Sequence, residues 1–224
     1  MKLSTGCSAL DSLLQGGIEY GTITEIFGGG GTGKTNLCLQ LARNVTLNGK
    51  KVIYIDTEGV SMERLNQISG DQSEKVLKNL LLFRVHSFKE QEQVLEQAEK
   101  LVFTKNMDVG LVIVDSMTIF YRALLNSDER SNITSRLGKQ MIKLLKIARK
   151  ENLPVVITSQ VYQSQSDGEN RSLGGHQLYH NAKTIIKVDS IGPHIREWSL
   201  IKHRSLAEGG RVKTMLTSNG IETI

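Results

Sequence analysis

The segment Gly28-Gly29-Gly30-Gly31-Thr32-Gly33-Lys34-Thr35 constrains this chain more than any other. It fits the pattern G-x-x-x-x-G-K-[ST] and stands where that pattern needs to stand, after an apolar strand-like run (22–27) and before a helix-like one (37–45). Glycines let backbone N–H groups point into one concavity without side-chain clashes, and a helix start adds partial positive charge. The segment therefore predicts a cradle for the phosphates of ATP, with Gly28, Gly29, Gly30, Gly31, Thr32, Gly33, Lys34 and Thr35 as binding residues. Lys34 is expected to reach the β- and γ-phosphates, and Thr35 to ligate Mg²⁺ through its hydroxyl. A plain glycine-rich turn has no need of lysine and threonine in register.

Around this unit, strand-like and helix-like segments alternate, the pattern of a parallel sheet flanked by helices. Residues 51–55, 80–85, 111–114 and 154–158 read as short strands, and 111–114 is apolar throughout, as a strand buried on both faces is. Val94, Leu95, Ala98, Leu101 and Val102 make one helical stripe, and Leu137, Met141, Leu144, Leu145 and Ala148 make another. Residues 161–178 are polar and aperiodic, a length of loop that is usually functional or unstructured. Segments 184–188, 197–201 and 211–216 alternate apolar and polar residues, with turns at Gly192-Pro193 and Gly209-Gly210. They predict antiparallel strands added to the sheet edge. The expected fold is α/β: one domain over 1–224, a mostly parallel central sheet flanked by helices, with antiparallel C-terminal strands.

Composition excludes some alternatives. With 39% hydrophobic residues in 224, the chain can bury a real core within one domain. No apolar run approaches the roughly 20 residues that span a membrane, and the first residues carry no signal-peptide pattern. Cys7 and Cys38 make no disulfide framework, so a cytoplasmic protein is expected. The net charge of +5 is suggestive of a polyanionic partner. Six of the basic side chains lie within 136–151 against one acid, Glu151. That stripe reads equally well as a solvated helix face or as a nucleic-acid contact.

Three further residues carry chemistry. Asp115 ends the apolar run 111–114, where a carboxylate would hold Mg²⁺ directly or through water. Glu58, in Asp56-Thr57-Glu58-Gly59 after another strand, is expected to position or deprotonate water. Asp56 better suits a capping or supporting role. Gln160 ends the strand 154–158 and heads the polar loop; its amide is placed to bond a γ-phosphate and to pass nucleotide state to that loop.

These stations, in this order and spacing, resemble the RecA-like recombinases, specifically their archaeal RadA and RadB branch. The resemblance covers nearly the whole chain. It runs from Leu3-Ser4-Thr5-Gly6 and Leu10-Asp11-Ser12-Leu13-Leu14 through Asp56-Thr57-Glu58-Gly59, Glu63-Arg64-Leu65, Asp115-Ser116-Met117-Thr118 and Thr158-Ser159-Gln160 to Leu173-Gly174-Gly175-His176 and Tyr179-His180. It implies a RecA-like P-loop ATPase core with ATP and Mg²⁺ as ligands. Glu58, Lys34 and Gln160 would be its catalytic residues, Thr35 and Asp115 its metal ligands, and Arg64 the residue packing on the adenine. Arg122 and the stretch 124–133, with Arg130, match the first DNA-binding loop, and 161–178, with Arg171, match the second.

The departures narrow the expectation. RadA recombinases carry an N-terminal helix-hairpin-helix domain and a polymerisation linker, whereas this chain begins at the ATPase core; that points to the short RadB group. The second loop has Tyr162 as its lone aromatic residue, so contacts to DNA would rest mainly on Arg and Lys. Where RadA-like proteins have an acidic, proline-containing ATP cap, this chain has Lys202-His203-Arg204. Lys202 or Arg204 is expected to touch a neighbour's γ-phosphate or DNA, with plain surface charge as the alternative. The resemblance implies an ATP- and DNA-binding accessory protein of homologous recombination and DNA repair, weak as an ATPase and without strand exchange of its own. Its partners would be single-stranded or branched DNA and a RadA-type recombinase, with self-assembly left open. The alternatives are a filament-forming strand-exchange ATPase and a RecA-fold signalling ATPase that does not bind DNA.

Overall fold

The computed structural model describes residues 1–104, 106–125, 130–163 and 170–224, without the side chains of Arg130, Ser131, Gln163 and Asn170. Its main sheet runs in the order β13 (Gly220–Thr223), β12 (Arg211–Thr217), β11 (Ile195–His203), β10 (Thr184–Gly192), β3 (Ile23–Gly28), β7 (Val155–Ser159), β6 (Val109–Asp115), β4 (Lys51–Asp56), β5 (Leu80–Arg84). The strands from β10 to β5 are parallel, and β11 to β13 join them antiparallel. A short pair, β1 (Lys2–Leu3) with β2 (Ile18–Glu19), lies apart, and β8 (Val161–Gln163) pairs with β9 (Asn170–Ser172).

Side-chain alternation along the central strands explains the two helical layers. In β6, Leu111 and Ile113 enter one core while Val112 and Val114 enter the other. In β4 the same division separates Val52 and Tyr54 from Ile53 and Ile55. Successive strand residues point to opposite faces, so runs apolar at every position demand cover on both. One face receives α1 (Ser8–Leu13), α2 (Lys34–Leu47), α3 (Met62–Ser69) and α4 (Ser73–Asn79); the other receives α5 (Phe88–Phe103), α6 (Ile119–Leu124), α7 (Arg130–Glu151) and α8 (Gly175–Asn181). Cys38 is fully buried in the first of these cores.

Two expectations need correction. β10 is not an antiparallel edge strand: it pairs parallel with β3 inside the sheet, and the antiparallel part begins at β11. The α8 helix ahead of it supplies the crossover that returns the chain to the same end of the sheet. Residues 161–178 are not wholly irregular either, since they contain β8, β9 and the start of α8.

The basic stripe of α7 also resolves. Arg136 pairs with Glu92, Lys143 with Glu96 at 3.1 Å, and Lys146 with Glu99, all across to α5. Lys146 and Lys150 also lie over the Phe103 ring. Half of the stripe is therefore an interhelical ladder.

Candidate nucleotide-binding site

In open parallel sheets, ligands collect beyond the carboxyl ends of the strands. Here β3, β4, β6 and β7 end in Gly28, Asp56, Asp115 and Ser159, so the glycine loop, Glu58, Asp115 and Gln160 all lie at or within two residues of a strand's carboxyl end. The loop after β3 is shaped by its backbone. Gly31 and Gly33 have φ of 70° and 101°, a region that a β-carbon disfavours, and Gly33 caps α2. Gly28 is required for another reason: a β-carbon there would lie 2.2 Å from the Val188 carbonyl oxygen of β10.

Lys34 opens α2 and folds back over the loop, its Nζ donating to the carbonyls of Gly28 at 2.9 Å and Gly29 at 2.8 Å. Burial pulls the lysine pKa down, and the nearby carboxylates of Glu58 and Asp115 oppose that pull. Two carbonyls leave the third proton of this buried ammonium without a strong acceptor. Phosphate oxygens would supply such acceptors, so the loop and its lysine fit a nucleotide's phosphates.

Asp115 is almost fully buried. Its Oδ2 accepts from the Tyr54 hydroxyl at 2.7 Å and its Oδ1 from the Thr158 hydroxyl at 2.5 Å. Burial raises its pKa, and the hydroxyls of Thr158, Tyr54 and Thr35 work against the rise. Thr35 and Asp115 therefore share one locality, and their oxygens are the donor chemistry that suits Mg²⁺. The Asp115-Ser116 peptide is cis, and Ser116 N–H donates to Thr57 Oγ1 at 2.7 Å, which joins the ends of β4 and β6.

Glu58 is exposed on the loop after β4. Asp56 shapes that loop by accepting from the N–H groups of Glu58 (3.2 Å), Gly59 (2.8 Å) and Val60 (2.8 Å). It supports the loop rather than capping α3, whose cap is Ser61. Gln160 links two of the expected residues: its Nε2 donates to Glu58 Oε1 at 3.3 Å, and its Oε1 accepts from Arg122 Nη1 at 3.2 Å. Arg122, expected as a DNA contact, thus reaches the nucleotide side of the molecule. Arg64 is fixed edge-on by Asn36, Gln67 and the carbonyls of Thr217 and Ser218, the last two at 2.6 and 2.8 Å. These bonds to the guanidinium nitrogens fix its orientation.

The remaining expected contacts are more dispersed. Arg171 is exposed on β9. The side chain of Arg130, residues 126–129 and residues 164–169 fall outside the described part of the chain. Lys202 Nζ donates to the carbonyls of Tyr179 at 2.5 Å and Ala182 at 3.0 Å and sits over the Tyr179 ring, 4.4 Å from its centroid. Arg204 pairs with Glu19 at 2.9 Å. Both basic residues of that stretch are thus engaged within their own chain.

Two residues escape sequence reasoning. Tyr54 reads as an ordinary strand residue, and nothing in its neighbours reveals that its hydroxyl reaches Asp115. Arg196, buried on β11, donates to the carbonyls of Thr32 at 3.1 Å and Gly31 at 3.3 Å, and to those of Ile195 and Gly192. It braces the glycine loop from the hairpin. Its place in an alternating strand, with no acid as a sequence neighbour except Glu197, gives no signal of this.

A Rad51 family model matches residues 1–223. The DNA repair and recombination protein RadB of Methanococcoides burtonii is 42% identical over 221 residues, covering 98% of this chain and 97% of that protein. The protein of the same description from Archaeoglobus fulgidus is 44% identical over 223 residues, covering 99% and 98%. A crystal structure of the RadB recombinase superposes with a TM-score of 0.84 at 38% identity, covering 99% of both chains. A glycine loop braced at a RecA-like sheet, and relatives matched from end to end, place the chain in one family: it belongs to the Rad51 family, within its RadB group.

Proposed function

We propose that residues 1–224 are a single ATPase core that binds ATP with Mg²⁺, hydrolyses it slowly, and serves DNA repair and recombination as a DNA-binding accessory protein. The observation that carries this reading is the convergence of Lys34, Thr35, Asp115, Glu58 and Gln160 at the carboxyl ends of four strands of one parallel sheet. Amides of residues 28–35 and the Lys34 ammonium bind the phosphates, and Arg64 offers a flat face to the base. Mg²⁺ held by Thr35 and Asp115 would neutralise phosphate charge. Glu58 accepts a proton from water, and Gln160 orients Glu58 through the 3.3 Å bond between them.

Weak turnover is supported by the exposure of Glu58, because hydrolysis is fastest where the base and its water lie in a dry, preorganised site. A place in recombination is supported by the relatives, which are described as DNA repair and recombination proteins. DNA contact is assigned to Arg122, Arg130 and Arg171, with Lys202 and Arg204 as contacts that must first leave their own-chain partners. Phosphate contacts by arginine weaken with salt, so retention of single-stranded DNA should fall steeply between about 50 and 200 mM. The test is ATP turnover with and without single-stranded DNA, beside a size measurement with a non-hydrolysable ATP analogue. Slow turnover without assembly supports the accessory reading. DNA-stimulated turnover with assembly and strand exchange by the protein alone overturns it in favour of a filament-forming recombinase.

A further inference from the structure

The stretch Gly31-Thr32-Gly33 turns over easily, and a phosphate site cannot tolerate that. The peptides Gly31–Thr32 and Thr32–Gly33 each have a glycine on one side, at φ of 70° and 101°. Next to glycine a peptide plane reverses at low cost, because no β-carbon bars the alternative conformation. In a planar trans peptide the C=O and the following N–H point in opposite directions, so each reversal exchanges one for the other. A loop that offers N–H groups to an anion therefore needs its carbonyls held on the other side.

Arg196 holds two of them. Its Nε donates to the Thr32 carbonyl at 3.1 Å and its Nη2 to the Gly31 carbonyl at 3.3 Å, so one planar group grips two successive peptides. The N–H groups of Thr32 and Gly33 consequently face away from β11. Among the described residues neither N–H donates to a protein acceptor, although both residues are buried. Buried donors of this kind are normally paired, and phosphate oxygens would pair them. Nη1 donates to the carbonyls of Ile195 at 3.0 Å and Gly192, which ties the guanidinium to its own hairpin.

As a mere fastening, a guanidinium is a poor choice here. Arg196 is 8% exposed, all four of its acceptors are neutral carbonyls, and among the described residues no carboxylate pairs with it. A buried cation without a counter-charge costs stability. The grip from the other side of the loop is also shared. Lys34 bonds the Gly28 and Gly29 carbonyls, but its ammonium is itself an expected phosphate ligand. Arg196 approaches from the hairpin and does not compete with the nucleotide.

We propose that Arg196 is a positioning residue for the nucleotide, holding the Gly31 and Thr32 carbonyls to β11 with and without ligand so that the Thr32 and Gly33 N–H groups stand preformed as phosphate donors. The proposal rests on the reading of the loop as an ATP site. Two carbonyls on successive peptides need two donors in a rigid fork, which arginine has and lysine lacks.

The test compares the unaltered protein with Arg196→Lys, which keeps the charge and loses the fork, and with Arg196→Met. A non-hydrolysable ATP analogue with Mg²⁺ is the probe, read by calorimetry and by amide proton–nitrogen NMR spectra. Affinity should fall at least about tenfold in Arg196→Met and at least about fivefold in Arg196→Lys, as when a hydrogen bond to a charged ligand is misplaced. At saturation the downfield shifts of the Thr32 and Gly33 amides should shrink in both variants, while those of Lys34 and Thr35 at the start of α2 persist. Unchanged affinity in Arg196→Lys assigns the effect to charge alone and overturns the proposal. An equal loss of shift at all four amides overturns it too, because it reports a loosened loop rather than two turned peptides. If neither variant folds, the unaltered protein still decides. Its Arg196 Nε–H should exchange slowly with solvent both with and without nucleotide, and fast exchange in either state overturns the proposal. No binding of the analogue by the unaltered protein is a different failure: it removes the reading of the ATP site, and the proposal with it.

Discussion

Replacing Tyr54 by phenylalanine removes one oxygen atom and leaves the ring that fills its place in the core. Tyr54 is fully buried, and burial together with the Asp115 carboxylate pushes its phenol well up, so it stays protonated and donates. The bond it makes to Asp115 Oδ2 is 2.7 Å long and reaches a carboxylate that is itself buried. A hydrogen bond to a charged group contributes about 1.5–3 kcal/mol, and its loss leaves a buried carboxylate one donor short. Tyr54→Phe should therefore destabilise the nucleotide-free protein by about 2 kcal/mol, or about 4–8 °C in Tm for a chain of this size.

The pH dependence of that loss is part of the prediction. The Tyr54 bond favours ionised Asp115, so its contribution is present where Asp115 is charged and lost as the carboxyl protonates. The gap between wild type and Tyr54→Phe should be wider at pH 8 than at pH 5. Apparent affinity for Mg²⁺ with nucleotide should also fall, by about fivefold if roughly 1 kcal/mol of carboxylate orientation is lost. Thermal melts across pH, with a Mg²⁺ titration in the presence of nucleotide, read both effects. A Tm change below about 1 °C, or a gap that widens as pH falls, would refute the reasoning.

Glu58→Gln should keep nucleotide affinity and lose about 10²- to 10⁴-fold in turnover, read by phosphate release; wild-type turnover would remove Glu58 from the role of base. Asp115→Asn should raise the Tm of the nucleotide-free protein at neutral pH while abolishing Mg²⁺-dependent nucleotide binding. The sign follows from burial: a carboxyl with a raised pKa favours the folded state when protonated and costs stability as pH rises through that value. Lys143→Ala with Lys146→Ala should leave retention on single-stranded DNA unchanged and cost no more than about 1 kcal/mol for each exposed pair lost, since these lysines face Glu96 and Glu99. A clear loss of DNA retention would place these two lysines on the DNA surface.

The parts legible in sequence are those in which one local pattern has one structural solution. A glycine run between an apolar strand and a helix closes as β3, loop and α2. The all-apolar run before Asp115 requires cover on both faces, and it lies inside the sheet between β7 and β4. What stayed hidden depends on residues distant in sequence. Alternation in 184–188 signals a strand but not its neighbour, and the parallel pairing with β3 is set by the crossover through α8. Glu92, Glu96 and Glu99 on α5 meet Arg136, Lys143 and Lys146 on α7, but only packing brings the two together. Tyr54 serves the site through its hydroxyl and Arg196 through its guanidinium, and nothing in their local sequence records it. The carboxylate of Glu25 joins serines more than a hundred residues away.

The central claim is that the loop from Gly28 to Thr35, with Asp115, is an ATP site. Calorimetric titration of a non-hydrolysable ATP analogue in Mg²⁺ into the wild type and Lys34→Ala tests it most directly. The account predicts one molecule bound per wild-type chain, binding that weakens sharply without Mg²⁺, and none to Lys34→Ala. Equal binding by the two proteins, or no binding by the wild type, would contradict it.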